Sequence, residues 1–518
     1  MTSPWRIAIF AVLLLAGSVA AAAQPVRTDA GLVAGTEEGV LAVYRGVPYA
    51  APPLGALRWR PPQAVTAWHG VRAAKAFAPA CMQKDVSMPG ETMPAVGEDC
   101  LYLNIWAPRG AAHLPVMVWI HGGGYASGST AMPLYWGDRL ARRGVIVVTI
   151  AYRLGPLGYL AHPELTAESP EHSSGDYGLM DQVAALQWVR RNIAAFGGDP
   201  ARVTIAGQSA GAMAVGMLMA SPRAKGLFQG AIAQSGGLFE PLALAPNYLL
   251  PNAERDGVAY AASLGAPTLA ALRALPAQAL LGGKAALVTH PVIAPGVLPQ
   301  APYDVFAAGR QNDVPILVGS NEEEARSLAK LDGVTAANFN DDLAKNFAPL
   351  PPAIVAAYPY KTDAEARAAR ADLERDMRFG WDMWTWARLA AATGRQKVFY
   401  YHFTRKPPFP AGSPYAGWGA SHYAELWYMS DHLDQDAWAW TAADRRLADA
   451  MATYWTNFVK RGDPNGAGVP RWPVFAGGDA GVLYLGDPIS AGGVPDRRTL
   501  AAVDAVYAAL RGSTVPER

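Results

Sequence analysis

Short unbroken apolar runs alternate along this chain with longer stretches in which apolar residues recur every three or four positions. The runs at residues 116–120 (VMVWI), 145–150 (VIVVTI), 203–206 (VTIA), 231–233 (AIA), 314–318 (VPILV) and 398–403 (VFYYHF) are rich in β-branched and aromatic residues. Runs of this kind predict strands covered on both faces, as in a mostly parallel sheet. Between them, residues 176–196 carry Leu179, Val183, Leu186, Val189 and Ile193 at helical spacing and stop at Gly197-Gly198, where a helix end is expected. Residues 441–460 repeat the pattern with Leu447, Met451, Tyr454, Trp455 and Phe458. Strands alternating with helices predict an α/β fold, with a central, mostly parallel sheet flanked by helices.

The first 23 residues read differently. Arg6 precedes an apolar stretch at 7–16, and Ala21-Ala22-Ala23 supplies small residues for cleavage, the pattern of an export signal. The stretch is shorter than the roughly 20 apolar residues that a spanning helix needs. Residues 1–23 are therefore expected to be a signal peptide and 24–518 one domain, periplasmic or extracellular, with no membrane span in the mature chain. In an oxidising compartment the two cysteines, Cys81 and Cys100, are expected to pair. Charge is nearly balanced, Lys+Arg 44 against Asp+Glu 43, with no dense basic run, which argues against nucleic acid as a partner.

Chemistry enters at Gly207-Gln208-Ser209-Ala210-Gly211. A lone G-x-S-x-G is weak, but this one joins the strand at 203–206 to an apolar helical segment. Ser at the apex of a strand–turn–helix is a nucleophile elbow. Side chains at Gly207 or Gly211 are expected to clash there, and the helix start favours negative charge beside Ser209. His121-Gly122-Gly123-Gly124 follows the strand at 116–120. Bare backbone N–H groups there, with that of Ala210, suit an oxyanion hole. No Lys-Ser or Lys-Thr follows the glycines, so they do not form a phosphate-binding P-loop.

A serine hydroxyl needs a base, and in this architecture the order is Ser, acid, His. His402, His422 and His432 all lie far enough downstream. His402 falls in a strand, and His432, beside Asp431, reads as a surface residue. His422 follows the Gly-containing loop 417–421, the setting catalytic side chains favour. For the acid, Glu322, Glu323 and Glu324 follow the strand at 314–318. Local pattern does not choose among them, and two of the three are expected to be solvated.

Further segments are 44–50 (YRGVPYA) with Pro52-Pro53, 98–105 (EDCLYLNI), 176–182 (DYGLMDQ), 196–200 (FGGDP), 455–458 (WTNF) and 462–465 (GDPN). In these segments the chain resembles the type-B carboxylesterase family, which includes cholinesterases and bacterial para-nitrobenzyl esterases. The resemblance implies an α/β-hydrolase fold with large loop and helical insertions. It implies catalytic Ser209, Glu324 and His422, with Gly123, Gly124 and the Ala210 N–H at the oxyanion. It also places Cys81–Cys100 at the family's first disulfide, Arg58 and Glu98 at a structural ion pair, and Glu425 at the glutamate following the histidine. No metal or organic cofactor is implied. Gln208 stands where many members carry Glu, and Ala325 where a Gly usually follows the acid. The 81–100 loop holds no Trp, so choline specificity is not implied.

The function expected is hydrolysis of a small-molecule carboxylic ester through an acyl-enzyme. Phe239, Phe379, Trp381, Trp384 and Trp386, with Trp418, Tyr423 and Trp427 near His422, suggest bulky apolar or aromatic substrates. Loops 238–247, 290–300 and 379–386 are the expected pocket walls. A lipase, an amide or carbamate hydrolase, and a non-catalytic adhesion module on the same fold are the alternatives.

Overall fold

The computed structural model describes residues 23–84, 88, 92, 94–347 and 350–516. The export segment at 7–16 lies outside the described residues. Eleven strands build one sheet: β1 (Thr36–Glu38), β2 (Leu41–Pro48), β3 (Tyr102–Pro108), β4 (Leu114–Ile120), β5 (Ile146–Ile150), β6 (Gly198–Gln208), β7 (Gly230–Gln234), β8 (Ile316–Asn321), β9 (Val398–Phe403), β10 (Ala480–Leu485) and β11 (Ser490–Gly493). Their spatial order is β11-β10-β9-β8-β7-β6-β4-β5-β3-β2-β1. Strands β4 to β10 run parallel, and β1–β3 and β11 close the edges antiparallel.

The apolar runs are continuous because both faces of the sheet are covered. Val116, Val118 and Ile120 of β4 point into one core, with Ile146, Val148 and Ile150 of β5. Met117, Trp119 and Val147 alternate into a second core on the other face. The first core is capped by α1 (Tyr177–Asn192), by α2 (Ala210–Ala220), and by α4 (Trp381–Thr393), which continues α3 (Asp363–Arg375) through a single π-helical turn at Asp376–Gly380. The second packs on α5 (Ala442–Arg461). Thr441 starts α5 with a reciprocal capping box to Asp444, and Gly462 ends it at φ 66°. A last helix, α6 (Arg497–Arg511), returns to the first core through Leu500, Val503 and Tyr507.

The chain passes from β4 to β5 on one side and then crosses to β6 on the other, so a topological switch lies beside β4. In open α/β sheets such a switch opens a crevice at the carboxyl ends of the strands. The loops after β4, β6, β8 and β9 all leave the sheet at that end. Among the described residues no helix is long and apolar enough to cross a membrane. Cys81 and Cys100 form a disulfide with S–S 1.99 Å.

Candidate active site

The segment after β6 turns so tightly that Ser209 takes φ 57° and ψ −126°, a region that costs a non-glycine residue about 1–3 kcal/mol. Neighbouring glycines make the turn possible. A Cβ at Gly211 would lie 2.0 Å from the Ile120 carbonyl oxygen, and one at Gly207 would lie 2.5 Å from the Gly211 carbonyl carbon. The Ser209 N–H is tied to the Gln234 carbonyl of β7 at 2.8 Å, so the sheet itself holds the strain.

Across from this turn, the loop after β4 closes on its own backbone. Ala126 and Ser127 N–H groups both donate to the Gly123 carbonyl at 3.0 Å. Gly123 has φ 105°, and a Cβ there would meet the Ser127 carbonyl oxygen at 2.1 Å. His121 is buried, stacks on Tyr152 with ring centroids 4.5 Å apart, and is held neutral because burial pushes its imidazole down to about 4. It braces the loop. Gly124 and Ala210 line the same cavity as Ser209.

The structure brings His422 and Glu324 together. His422 Nδ1 and Glu324 Oε2 are 2.6 Å apart, and both side chains are buried. The other oxygen, Oε1, accepts the Asn321 N–H at 2.7 Å. The long loop from β9 that carries His422 is fastened by several residues. Asn321 Nδ2 donates to the Ser421 carbonyl at 2.6 Å, and Gln208 Nε2 donates to the His422 carbonyl at 3.3 Å. Glu425 accepts from Asn321 Nδ2 at 2.5 Å and Gln234 Nε2 at 3.1 Å. Burial, with the Glu324 carboxylate close by, pushes Glu425 up to about 8, so it keeps its proton at neutral pH. Phe379, in the π-helical turn, stacks on His422 with ring centroids 4.4 Å apart.

Two sequence expectations are corrected here. His432 is not a surface residue: it is fully buried, with Nε2 2.9 Å from Asp138 Oδ1. Glu323 is not a solvated carboxylate either. It accepts the Ala420 N–H at 2.9 Å and pairs with Lys406 and Arg326, clamping the His422 loop. His402 sits buried in β9 beside Tyr484, pushed down to about 3 by burial. Arg58 meets Glu98 with Nη2–Oε2 2.6 Å and donates to the Leu275 carbonyl, next to the disulfide.

Ser209 and His422 open on a cavity of about 600 Å³. Loops 238–247 and 379–386 contribute Glu240, Leu244, Ala245, Phe379 and Asp382, whereas loop 290–300 does not reach it. Phe239, Trp381, Trp384 and Trp386 are core residues, and Trp418 and Trp427 belong to a separate ring cluster with Phe409 and Tyr415. Phe347, Met377 and Tyr507 line the cavity without any local motif to announce them.

A parallel sheet with its crevice at the switch, a serine on a glycine-flanked elbow and a carboxylate–histidine pair define the class: this is an α/β-hydrolase. Residues 22–493 match the profile of the carboxylesterase family, and the chain belongs to that family and is a carboxylic ester hydrolase. It is 38% identical to the fumonisin B1 esterase of Sphingopyxis macrogoltabida over 469 residues, covering 87% of this chain and 84% of the relative. It is 34% identical to the para-nitrobenzyl esterase of Bacillus subtilis (strain 168), covering 87% and 92%. A solved thermophilic para-nitrobenzyl esterase superposes with a TM-score of 0.80 at 31% identity, covering 93% of this chain and 99% of that one.

Proposed function

We propose that this chain cleaves esters through an acyl-enzyme on Ser209, with His422 as base and Glu324 as its partner. The observation that carries this reading is the His422–Glu324 contact of 2.6 Å in a side chain that shares its cavity with the strained serine. As Ser209 Oγ bonds to the ester carbonyl carbon, its proton passes to His422. The negative charge reaches the former carbonyl oxygen, where the N–H groups of Gly123, Gly124 and Ala210 receive it. The C–O bond to the alcohol breaks as His422 returns the proton to the leaving oxygen. Water then attacks the acyl-enzyme by the same route and frees the acid and Ser209. Glu324, bonded to Nδ1, holds the ring orientation and offsets the charge of the imidazolium.

The apolar start of the chain and the disulfide support export with cleavage near Ala23, leaving residues 24–518 as one domain. Walls such as Met213, Leu244, Phe347 and Phe379 suit esters with bulky apolar or aromatic groups. Ser209→Ala is the decisive variant: kcat on para-nitrophenyl butanoate should fall about 10⁴-fold or more, and a fluorophosphonate should label native protein at Ser209. Turnover at the native rate in Ser209→Ala, or labelling elsewhere, would overturn the reading.

A further inference from the structure

We propose that Glu240 and Asp382 form a seat in the cavity for a cationic, ammonium-type group of the ester substrate. The proposal rests on the reading that Ser209 is the nucleophile of this cavity.

Both acids line the cavity that Ser209 and His422 share. One short segment locks them to the elbow. Ser235 takes φ 54° at its start. Gly236 then packs so closely on Ser209 that a Cβ there would lie 2.3 Å from the Ser209 carbonyl oxygen. A Cβ on the next residue, Gly237, would lie 2.7 Å from Asp382 Cβ, and Glu240 follows three residues on. A group held by these acids is thus held at a set distance from the attacking oxygen.

The seat is unfilled by the protein itself. Asp382 is 3% exposed, and its Oδ1 accepts the Phe239 N–H at 3.2 Å. Among the described residues, no hydrogen bond reaches Asp382 Oδ2 and no ion pair involves Asp382 or Glu240. Two cations lie nearby, and neither forms an ion pair with the acids, although the Arg511 charge is near enough to draw both acids down in part. Arg511 lies over the Tyr303 ring at 3.8 Å and the Trp381 ring at 4.8 Å, and donates to the Phe239 carbonyl. Arg378 pairs with Glu374 at 2.8 Å. The other titratable groups around the pair are the phenols of Tyr248, Tyr507 and Tyr125, with Glu374, His422 and Tyr423 on the walls of the same cavity.

Two carboxylates left this way resist ionisation. Burial pushes Glu240 up to about 7, and burial with the neighbouring Glu240 carries Asp382 well above the usual carboxylate range. Near neutral pH the pair therefore retains a proton. An ammonium ion that enters takes over the role of that proton, which leaves to solvent: its charge offsets both carboxylates and it gains charge-assisted hydrogen bonds. A hydroxyl group brings no charge, so the pair would keep its proton and gain only neutral hydrogen bonding. The aromatic rings of Tyr248 and Tyr507 complete a lining that accommodates a cation. A metal ion fits less well: among the described residues no group of three or more His, Cys, Asp or Glu is placed to hold one.

The test compares the para-nitrophenyl esters of 6-aminohexanoate and heptanoate, equal in length and differing by a terminal ammonium, at pH 7.5. Native enzyme should show kcat/KM about tenfold higher for the cationic ester, and Asp382→Asn and Glu240→Gln should each collapse that ratio to about twofold or less. The ratio does not depend on the fraction of active enzyme. As a second measurement on native enzyme, n-pentylammonium should inhibit heptanoate hydrolysis competitively about tenfold better than butyl methyl ether. Equal rates on the two esters together with equal inhibition by the two probes, or a ratio that survives both substitutions, would overturn the seat. Failure of the Ser209 reading is a separate result: Ser209→Ala would then still hydrolyse heptanoate.

Discussion

Two pairs of acids flank the elbow, all buried except the part-buried Glu240, and their surroundings treat the pairs oppositely. On the histidine side, Glu324 and Glu425 are met by His422 Nδ1, the Asn321 N–H, Asn321 Nδ2 and Gln234 Nε2. Each of the four oxygens has a donor aimed at it, and the repulsion is settled by leaving the proton on Glu425. On the pocket side, Glu240 and Asp382 also repel each other, yet among the described residues their carboxylates are met only by backbone N–H groups, that of Phe239 at Asp382 and Glu240's own. A saturated acid pair is a finished part of the protein. An unsaturated one costs stability while the cavity is empty and gains when a suitable group arrives.

The strongest way to break this contrast is Glu324→Gln. The amide keeps the shape but offers an –NH₂ where an acceptor is needed, so His422 loses the partner that fixes its tautomer. The expected fall in kcat is about 10³–10⁴-fold with little change in KM, read by steady-state kinetics on para-nitrophenyl butanoate. A loss of less than tenfold would place the acid elsewhere, and Glu323 would be the next carboxylate to test.

Amide substitutions in the other three acids sharpen the contrast through stability. Glu240 is raised from 4.5 to about 7 in the folded protein. The folded state therefore binds that proton more tightly than the unfolded chain, so stability is fully present below pH 4.5 and is lost as pH rises to about 7. Asp382 has the same sign, so its contribution is likewise present at low pH and lost as pH rises. Glu240→Gln or Asp382→Asn removes the penalty. Relative to native protein, stability should be unchanged below about pH 3.5 and higher above pH 7, by about 1–3 kcal/mol, which is about 1–4 °C in Tm. Glu425 titrates with the same sign, from 4.5 to about 8, but Glu425→Gln should not gain in this way. Its amide would turn an –NH₂ toward the donors of Asn321 or Gln234, and Tm at pH 5 should fall. Thermal scans of the three variants at pH 5 and pH 8 decide the matter, and a common response from all three would erase the distinction between the pairs.

What the sequence made legible follows from range. The strands at 116–120 and 145–150, the helix ending at Gly197 and the capped helix from Thr441 are written in local periodicity and local turn chemistry. Gly207 of the elbow is legible for the same reason, since the clash it avoids is with Gly211 of its own turn, whereas Gly211 makes room for Ile120 of the neighbouring strand and is read from the G-x-S-x-G pattern. The surroundings of His432 and Glu323 were misread because their partners lie far away in the chain: Asp138 is 294 residues from His432, and Ala420 is 97 from Glu323. The acid pair in the pocket has the same character. Glu240 and Asp382 come from separate elements, meet through Gly237, and belong to no run that marks them. Tyr507 arrives from α6, the last helix of the chain.

The smallest effect in this comparison belongs to a residue that touches both sides. Phe379 lines the pocket and lies on the His422 ring, 4.4 Å between centroids and 30° from parallel. It reaches that place because the helix widens to a π turn at Asp376–Gly380 before α4 begins. Such turns re-aim a side chain that a regular helix would carry elsewhere. In the proposed cycle the ring under it becomes a cation, and an aromatic face favours that form by about 0.5–1 kcal/mol. Phe379→Leu should therefore lower kcat about two- to fivefold, and Phe379→Tyr should restore it because the face is kept. KM for heptanoate and 6-aminohexanoate esters should shift together in Phe379→Leu. The acids hold the cation and Phe379 contributes mainly to the histidine, so the ratio between the two esters is a property of Glu240 and Asp382. If Phe379→Leu instead abolished that ratio while kcat on the neutral ester stayed at the native value, the aromatic ring rather than the acid pair would be the seat.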